Sequence, residues 1–171
     1  MRGMKFFLIF PIIFILLAGC ARSRAIQPYS GEIKSLKAFA TFKISGADWT
    51  RRFDAAILVY PPNRFRVDFF DPIGNSIFSA GFDGKRGWGL RALKNTGLDL
   101  EPAEFAKVLL GEKVEGLEVS FLNYKKHKGI SFPHEIELGG LKKNVSVEIL
   151  FRDVDLNNGI SDERFRKGEM M

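Results

Sequence analysis

The single cysteine of this 171-residue chain offers the most distinctive chemistry in the sequence. Cys20 directly follows Leu17-Ala18-Gly19, and a mainly apolar stretch from Phe6 to Gly19 comes after two basic residues. That stretch is shorter than the roughly 20 apolar residues of a membrane-spanning helix. A basic start, a short apolar run and small residues before a cleavage point are instead typical of an export signal. Because the small residues match the bacterial lipobox, we predict that residues 1–19 are a lipoprotein signal peptide and that Cys20 carries covalent lipid, an S-diacylglycerol and an N-acyl chain.

One alternative for this segment is an uncleaved signal anchor with an incidental cysteine, which would require a longer apolar run. A lone cysteine cannot form a disulfide within its own chain, and lipidation explains its presence in an exported protein. The next residue is Ala21, not the aspartate that retains lipoproteins at the inner membrane in enterobacteria-like sorting. We therefore expect the protein to be anchored in the outer membrane, on its periplasmic face.

Other side chains suited to catalysis or metal binding are few and scattered. Neither of the two histidines, His127 and His134, has a second ligand at a recognised spacing. No Gly-x-Ser-x-Gly, His-Glu-x-x-His or phosphate-loop motif occurs. Asp68, Asp71 and Asp83 lie near predicted strand ends, and nothing in the sequence pairs them as acid and base. We expect no enzyme activity, no metal and no cofactor besides the covalent lipid.

The charge of the expected mature chain is mild. Residues 20–171 retain 24 basic and 20 acidic side chains, a net charge of +4. The densest basic run, residues 125–128, is predicted to be a solvated hairpin turn. The alternative is a patch for anionic lipid, which usually needs about 4–8 clustered basic residues. Nucleic acid is not an expected partner with so small an excess of positive charge.

Period-two alternation of apolar and polar residues dominates the rest of the chain and indicates half-buried strands. The predicted strands have apolar faces within residues 38–44, 53–59, 65–69, 76–82, 88–90, 117–121, 136–138 and 145–151. Residues 102–111 predict a short amphipathic helix that starts at Pro102 and ends at Gly111. Residues 20–31 predict the lipidated cysteine and a flexible tether. Residues 32–171 are expected to form a single domain.

These elements predict a mainly β (α+β) fold, a curved antiparallel sheet or half-open β-barrel with short helices covering the concave face. A sheet with so many apolar faces must be covered, and one helix of ten residues covers only a part. The remainder is closed by a further helix beginning near Glu32, or it stays open as a ligand pocket.

Several motifs, taken in order, resemble one known family. Asn63–Val67 resembles its P-x-R-x-R-L stretch, and Asp71–Ser76 resembles its x-P-L-G-x-x turn. Phe105–Gly111 resembles its L-x-x-x-L-x-G helix, and residues 151–157 and 160–165 resemble the end of its members. With the strand at residues 38–42, this order resembles the LolB-like outer-membrane lipoprotein receptors of the LolA/LolB-like lipoprotein-sorting superfamily.

The resemblance implies a monomer whose half-open barrel binds the acyl chains of lipoproteins in an apolar cavity. It implies a periplasmic carrier chaperone as donor and outer-membrane lipid as acceptor. It also implies that Ile73, at the apolar position of the turn, contacts the membrane; the alternative is a turn residue folded back on the sheet. The candidate pocket residues, each equally compatible with plain core, are Phe42, Phe53, Ile57, Phe65, Val67, Phe69, Trp88, Phe121 and Ile149.

Two departures from the family keep other functions open. The mature chain is shorter than the typical receptor, and few apolar helical residues remain after Gly111 for a lid. One alternative is a lipoprotein of the same fold with another apolar ligand. Another is a structural or accessory envelope lipoprotein that binds a protein partner through an exposed sheet edge. A hydrolase is disfavoured because nucleophile and base motifs are missing.

Overall fold

The computed structural model describes residues 31–95, 98–141 and 144–165. The predicted signal peptide, Cys20 and all but the last residue of the predicted tether lie outside the described residues. None of the helices in the described part is both long enough and apolar enough to span a membrane.

Eight antiparallel strands form one sheet. They are β1 (Leu36–Ser45), β2 (Thr50–Tyr60), β3 (Arg64–Phe70), β4 (Ser76–Phe82), β5 (Gly87–Trp88), β6 (Glu118–His127), β7 (Ile130–Leu141) and β8 (Val145–Leu156). Their order across the sheet is β5-β4-β3-β2-β1-β8-β7-β6. The outermost strands β5 and β6 do not pair with each other, so the curved sheet stays unclosed. The predicted mainly β class and half-open architecture are thereby confirmed.

The alternation in the sequence places one apolar row after another on the concave face. Phe42 of β1 lies opposite Phe53 of β2 on one side and Ile149 of β8 on the other. Val67 of β3 lies between Ile57 of β2 and Ala80 of β4 in the same way. Because side chains alternate between the two faces of a strand, these rows form one continuous core.

Two short helices cover part of this face, α1 (Leu90–Asn95) and α2 (Pro102–Leu109). Glu104 closes the start of α2 by accepting a hydrogen bond from the Glu101 backbone N–H at 3.0 Å. Gly111, just past the end of α2, has a φ of +79°, a left-handed conformation that favours glycine. Phe105 packs edge-on against Phe65 of β3, with ring centroids 5.0 Å apart. The helix predicted from Pro102 to Gly111 is therefore present where its end signals placed it.

Two local predictions are wrong. No helix begins near Glu32; residues 32–35 run without regular structure into β1, and the side chain of Asn157 ties them to the end of β8. The strand predicted through residue 90 ends at Trp88, because Gly89 turns the chain with a φ of +64°. A Cβ on Gly89 would lie 2.1 Å from the Ser79 carbonyl oxygen. Leu90 consequently begins α1.

The convex face of the sheet carries a second, smaller core. Leu58 of β2 packs there with Ile160 and Phe165, which follow β8 along the chain. This returning segment also covers a buried ion pair, in which Arg66 Nε donates to Asp68 Oδ2 at 2.9 Å. This segment thus buries side chains of the convex face, which alternate along the strands with the side chains of the main core.

Replacing Phe105 by alanine tests how firmly α2 holds the concave core. We expect the free energy of unfolding to fall by about 3–5 kcal/mol, since a large buried ring is removed without replacement. Urea-induced unfolding measures this loss. Lys107→Ala, on the exposed side of the same helix, should change it by less than about 0.5 kcal/mol. A loss below about 1 kcal/mol for Phe105→Ala would mean that α2 is only loosely docked.

Candidate functional site

Antiparallel pairing brings two turns to the same end of the sheet. The β1–β2 turn (residues 46–49) and the β3–β4 turn (residues 71–75) both extend beyond this edge. We call it the loop end. The described chain starts at the opposite end, where residues 32–35 lead into β1.

The β3–β4 turn holds Ile73 away from the sheet. Asp71 Oδ1 accepts hydrogen bonds from the backbone N–H groups of Ile73 at 3.0 Å and Asn75 at 2.8 Å. Asn75 Nδ2 donates to Asp71 Oδ2 at 3.0 Å, and Gly74 takes the φ of +90° that completes the turn. The hydrogen bonds from Asn75 lower the pKa of Asp71, so the ionised form that fixes the turn is retained around neutral pH. Ile73 is 84% exposed.

Exposed apolar side chains concentrate at the loop end. Within the described residues, four large apolar side chains are strongly exposed: Phe39, Trp49, Ile73 and Ile77. Trp49 lies in the β1–β2 turn, and Ile77 is the second residue of β4, next to the Ile73 turn. Only Phe39 lies away from this end, in the middle of β1 on the convex face. Isolated exposed apolar residues are ordinary, but three at one end of a domain make that end a candidate contact surface.

A cleft of about 290 Å³ opens at the same end, between the β1–β2 hairpin and the end of α1. Ile44, Trp49 and Phe53 provide its apolar lining, and Arg51 and Asn95 provide its polar lining. Phe53 also contacts Phe69 edge-on, with centroids 6.3 Å apart. The cleft therefore leads to the aromatic part of the core.

The nine candidate pocket residues do not all meet in one place. Six of them are fully buried in the concave core: Phe42, Ile57, Phe65, Val67, Phe69 and Ile149. Three are partly exposed: Phe53, Trp88 and Phe121. Phe42 and Phe53 both contact Phe69, whereas Trp88 and Phe121 lie on strands at opposite edges of the sheet. Only Phe53 among the nine lines the cleft at the loop end.

A larger groove of about 560 Å³ on the convex face is lined mostly by residues that the sequence did not single out, although Ile57 and His127 also border it. Phe39, Ala56, Leu58 and Val154 contribute apolar surface to it. Its charged lining comes from Lys37, Arg152, Asp153, Asp155 and Arg164. These residues are far apart in the chain, and most of them alternate along their strands with the main core, whereas Val154 packs against it. The period-two pattern of the sequence, which marks the apolar face of each strand, therefore does not indicate this groove.

The two histidines contact each other beside this groove. His127 Nε2 and His134 Nε2 are 2.7 Å apart, and His134 Nδ1 lies 3.2 Å from the Phe151 carbonyl oxygen. Burial lowers the pKa of both imidazoles, and the charge of Lys125 lowers it further. No group of three or more His, Cys, Asp or Glu side chains within the described ranges converges on a metal position.

Comparison with solved structures finds distant likenesses, among them the following two. A LolA superfamily protein from Nitrosomonas europaea is 12% identical, with a TM-score of 0.49 over 80% of this chain and 92% of that one. A putative outer membrane lipoprotein-sorting protein domain from Vibrio parahaemolyticus is 10% identical, with a TM-score of 0.46 over 78% of this chain and 89% of that one. Neither a family model nor a curated protein sequence matches the chain.

The histidine pair makes the stability of the domain depend on pH. Both imidazoles have a pKa below the ordinary value of 6.5, so the unfolded chain binds protons that the native chain does not. The stabilisation is complete above pH 6.5 and is lost as the pH falls through the lowered pKa values. We expect the free energy of unfolding to decrease between pH 7.5 and 5.5.

Urea unfolding at several pH values measures this slope. His134→Asn, whose side chain does not titrate, should flatten it, because the two rings titrate as a coupled pair. Stability that stays constant or rises as the pH falls over this range would contradict the prediction.

Proposed function

We propose that this chain is a lipid-anchored protein on the periplasmic face of the outer membrane, which binds the acyl chains of lipoproteins and helps to insert them into that membrane. One observation carries the proposal. A rigid turn presents Ile73 to solvent at the same end of the sheet at which an apolar cleft opens toward the aromatic core.

The exposure of Ile73 supports a membrane contact. Burying an isoleucine side chain is worth about 1.5–3 kcal/mol, and the hydrogen bonds to Asp71 prevent Ile73 from gaining this by folding back. The turn therefore keeps the Ile73 side chain exposed, so that it can be buried in lipid. At a bilayer surface, Ile73 would enter lipid without any rearrangement of the sheet.

The cleft supports acyl-chain binding because Ile44, Trp49 and Phe53 offer it apolar contact, which requires no directional bonds. Such a lining shields acyl carbons and still permits their release. Its volume of about 290 Å³ lies at the lower end of the range for ligand pockets, about 300–1,000 Å³. A complete acyl chain therefore requires the cover of the concave face to move.

Helix α1 is the element best suited to move. Leu93 is its one buried residue, whereas α2 buries Phe105, Ala106, Val108 and Leu109. Asn95, at the end of α1, already borders the cleft. Displacing α1 would expose little core surface and would extend the cleft toward Phe69 without detaching α2.

The expected anchor is compatible with this orientation. β1 begins at the end of the sheet opposite to the loop end, and its ten residues span about 33 Å. The twelve residues from Cys20 to Gly31 reach about 40 Å when extended. The loop end can thus contact the membrane that holds the lipid, while a periplasmic carrier chaperone delivers the cargo.

Native mass spectrometry of residues 21–171, mixed with a triacylated lipoprotein, tests acyl binding. We expect a one-to-one complex. Phe53→Asp should weaken it by about tenfold or more, because it replaces apolar lining with a carboxylate that an acyl chain cannot solvate. Phe39→Asp, at an exposed position on the other face, is the matched control and should bind normally. A domain that stays empty with lipoproteins and free lipids would refute the carrier function.

Delivery is tested separately with Ile73→Glu. We expect the complex to form as before, and transfer of the bound lipoprotein into vesicles of outer-membrane lipid to slow by about tenfold or more, since a charge is costly to place in a bilayer. Fluorescence of a labelled cargo lipoprotein reports the transfer. Unchanged transfer would show that Ile73 is not the membrane contact.

A specific observation favours one alternative, an accessory envelope lipoprotein with a protein partner. The convex groove around Phe39 is larger than the cleft at the loop end. Pairing through the long edge strand β6 is less suitable, because the positive φ of Asn123 (+53°) interrupts its regular backbone and the exposed Lys125 and Lys126 add charge to it. Loss of envelope function in cells with Phe39→Asp, but not with Ile73→Glu, would favour this alternative over acyl transfer.

A further inference from the structure

The tip of the β1–β2 hairpin holds an exposed tryptophan in a fixed position. The Gly46 backbone N–H donates to the Trp49 carbonyl oxygen at 2.9 Å and closes the turn. The indole lies directly over Gly46, where an added Cβ would be 2.5 Å from Trp49 Nε1. Even so, 45% of Trp49 remains exposed. The turn thus positions a large amphipathic ring at the loop end without burying it.

Two arginines flank this ring. Arg51 lies opposite Ile44 and Arg52 lies opposite Lys43, so their side chains leave the hairpin on its two different faces. The Arg51 Cζ atom is 5.8 Å from the centre of the Trp49 ring. Both arginines are exposed.

The charges around the hairpin leave these arginines available. Among the described residues neither guanidinium forms an ion pair, whereas Lys43 is paired with Glu148 at 3.0 Å. Asp48 is an exposed carboxylate in the turn. Asp71, in the neighbouring turn, accepts hydrogen bonds from its own turn. The hairpin therefore presents two free cations and one anion.

This combination fits one kind of surface. Tryptophan is enriched at the membrane–water interface because its ring is apolar and its N–H is polar. Arginine binds phosphate oxygens through two parallel N–H donors. Apolar insertion at Trp49 and phosphate binding at Arg51 and Arg52 would occur at the same depth, the level of the lipid headgroups.

We propose that Trp49, Arg51 and Arg52 form a second membrane contact beside Ile73, and that this contact takes up the headgroups of anionic phospholipid. The inference rests on the proposed function and deepens it. The Ile73 side chain inserts into the bilayer, and the β1–β2 hairpin orients the loop end by binding anionic headgroups. Because the cleft lies against the same hairpin, this orientation places its opening at the membrane surface.

Quenching of tryptophan fluorescence by brominated phospholipids tests the contact. The full chain is reconstituted by detergent removal, so that its N-terminal lipid or apolar segment holds every molecule on the vesicle. Trp88→Phe leaves Trp49 as the one indole of the chain. The control probe adds Trp49→Phe and Phe39→Trp, which moves the indole to a similarly exposed position on the convex face.

We expect Trp49 to be quenched about threefold more than the control probe in vesicles containing phosphatidylglycerol. The excess should shrink in vesicles of phosphatidylcholine alone and at high salt, because screening weakens charge attraction. Equal quenching of the two probes would overturn the inference.

Arginine variants isolate the headgroup contribution. Arg51→Gln with Arg52→Gln should lower Trp49 quenching in anionic vesicles to the level seen with phosphatidylcholine. Lys85→Gln with Arg86→Gln, which removes two exposed charges from the β4–β5 turn at the opposite end, should leave it unchanged. Equal effects of the two pairs would show a general charge effect and refute a headgroup site at the hairpin.

The outcomes separate this inference from the proposed function. If Trp49 is not preferentially quenched but Ile73→Glu still blocks delivery, the hairpin contact is refuted and acyl transfer stands. If Trp49 is quenched as expected but the domain never takes up an acyl chain, the hairpin contact is supported and the carrier function is refuted.

Discussion

The aromatic packing around Phe69 holds together the strands that carry the two turns of the loop end. Phe69 contacts Phe42 and Phe53 edge-on and stacks on Phe78 with centroids 4.4 Å apart. Strands β1 to β4 are thereby joined through one aromatic cluster close to the turns. Such pairs add about 0.5–1.5 kcal/mol each beyond the area that they bury. The cluster keeps the end of an unclosed sheet rigid, and because Phe53 stays partly exposed, it also extends apolar surface to the cleft.

Because the strands beneath the two turns are held together, Ile73 and Trp49 stay exposed at fixed positions. A flexible loop would let Ile73 and Trp49 fold onto the nearest apolar surface, whereas both are held in place by short-range hydrogen bonds, within residues 71–75 and 46–49. The structure therefore forgoes most of the free energy of burying Ile73 and part of that of burying Trp49. That free energy is recovered only when lipid or another apolar surface contacts the loop end.

Local signals made part of this architecture predictable. The alternation along β1, β2 and β3, and the end signals Pro102 and Gly111, act over a few residues and were sufficient to place the strands and α2. Long-range packing was not predictable. Arg66 and Asp68 alternate with apolar residues and resemble a solvated face, yet a segment near the chain end, including Phe165, buries them. Helix α1 is only six residues long, too short for a periodic pattern, and the positive φ of Gly89 that starts it leaves no pattern in the sequence.

The position of the expected anchor limits how the protein can be oriented. The expected tether would join the domain at the end opposite to Ile73, where Asn157 fixes residues 32–35 to the end of β8. A tether with an extended reach of about 40 Å would restrict the distance of the domain from the membrane but leave its rotation free. If the loop end acts on the bilayer, its orientation must come from the domain's own surface. An isoleucine alone would allow the domain to tilt about one point, whereas Ile73 and the Trp49 hairpin provide contacts on separate turns of the same sheet end and thereby restrict the tilt.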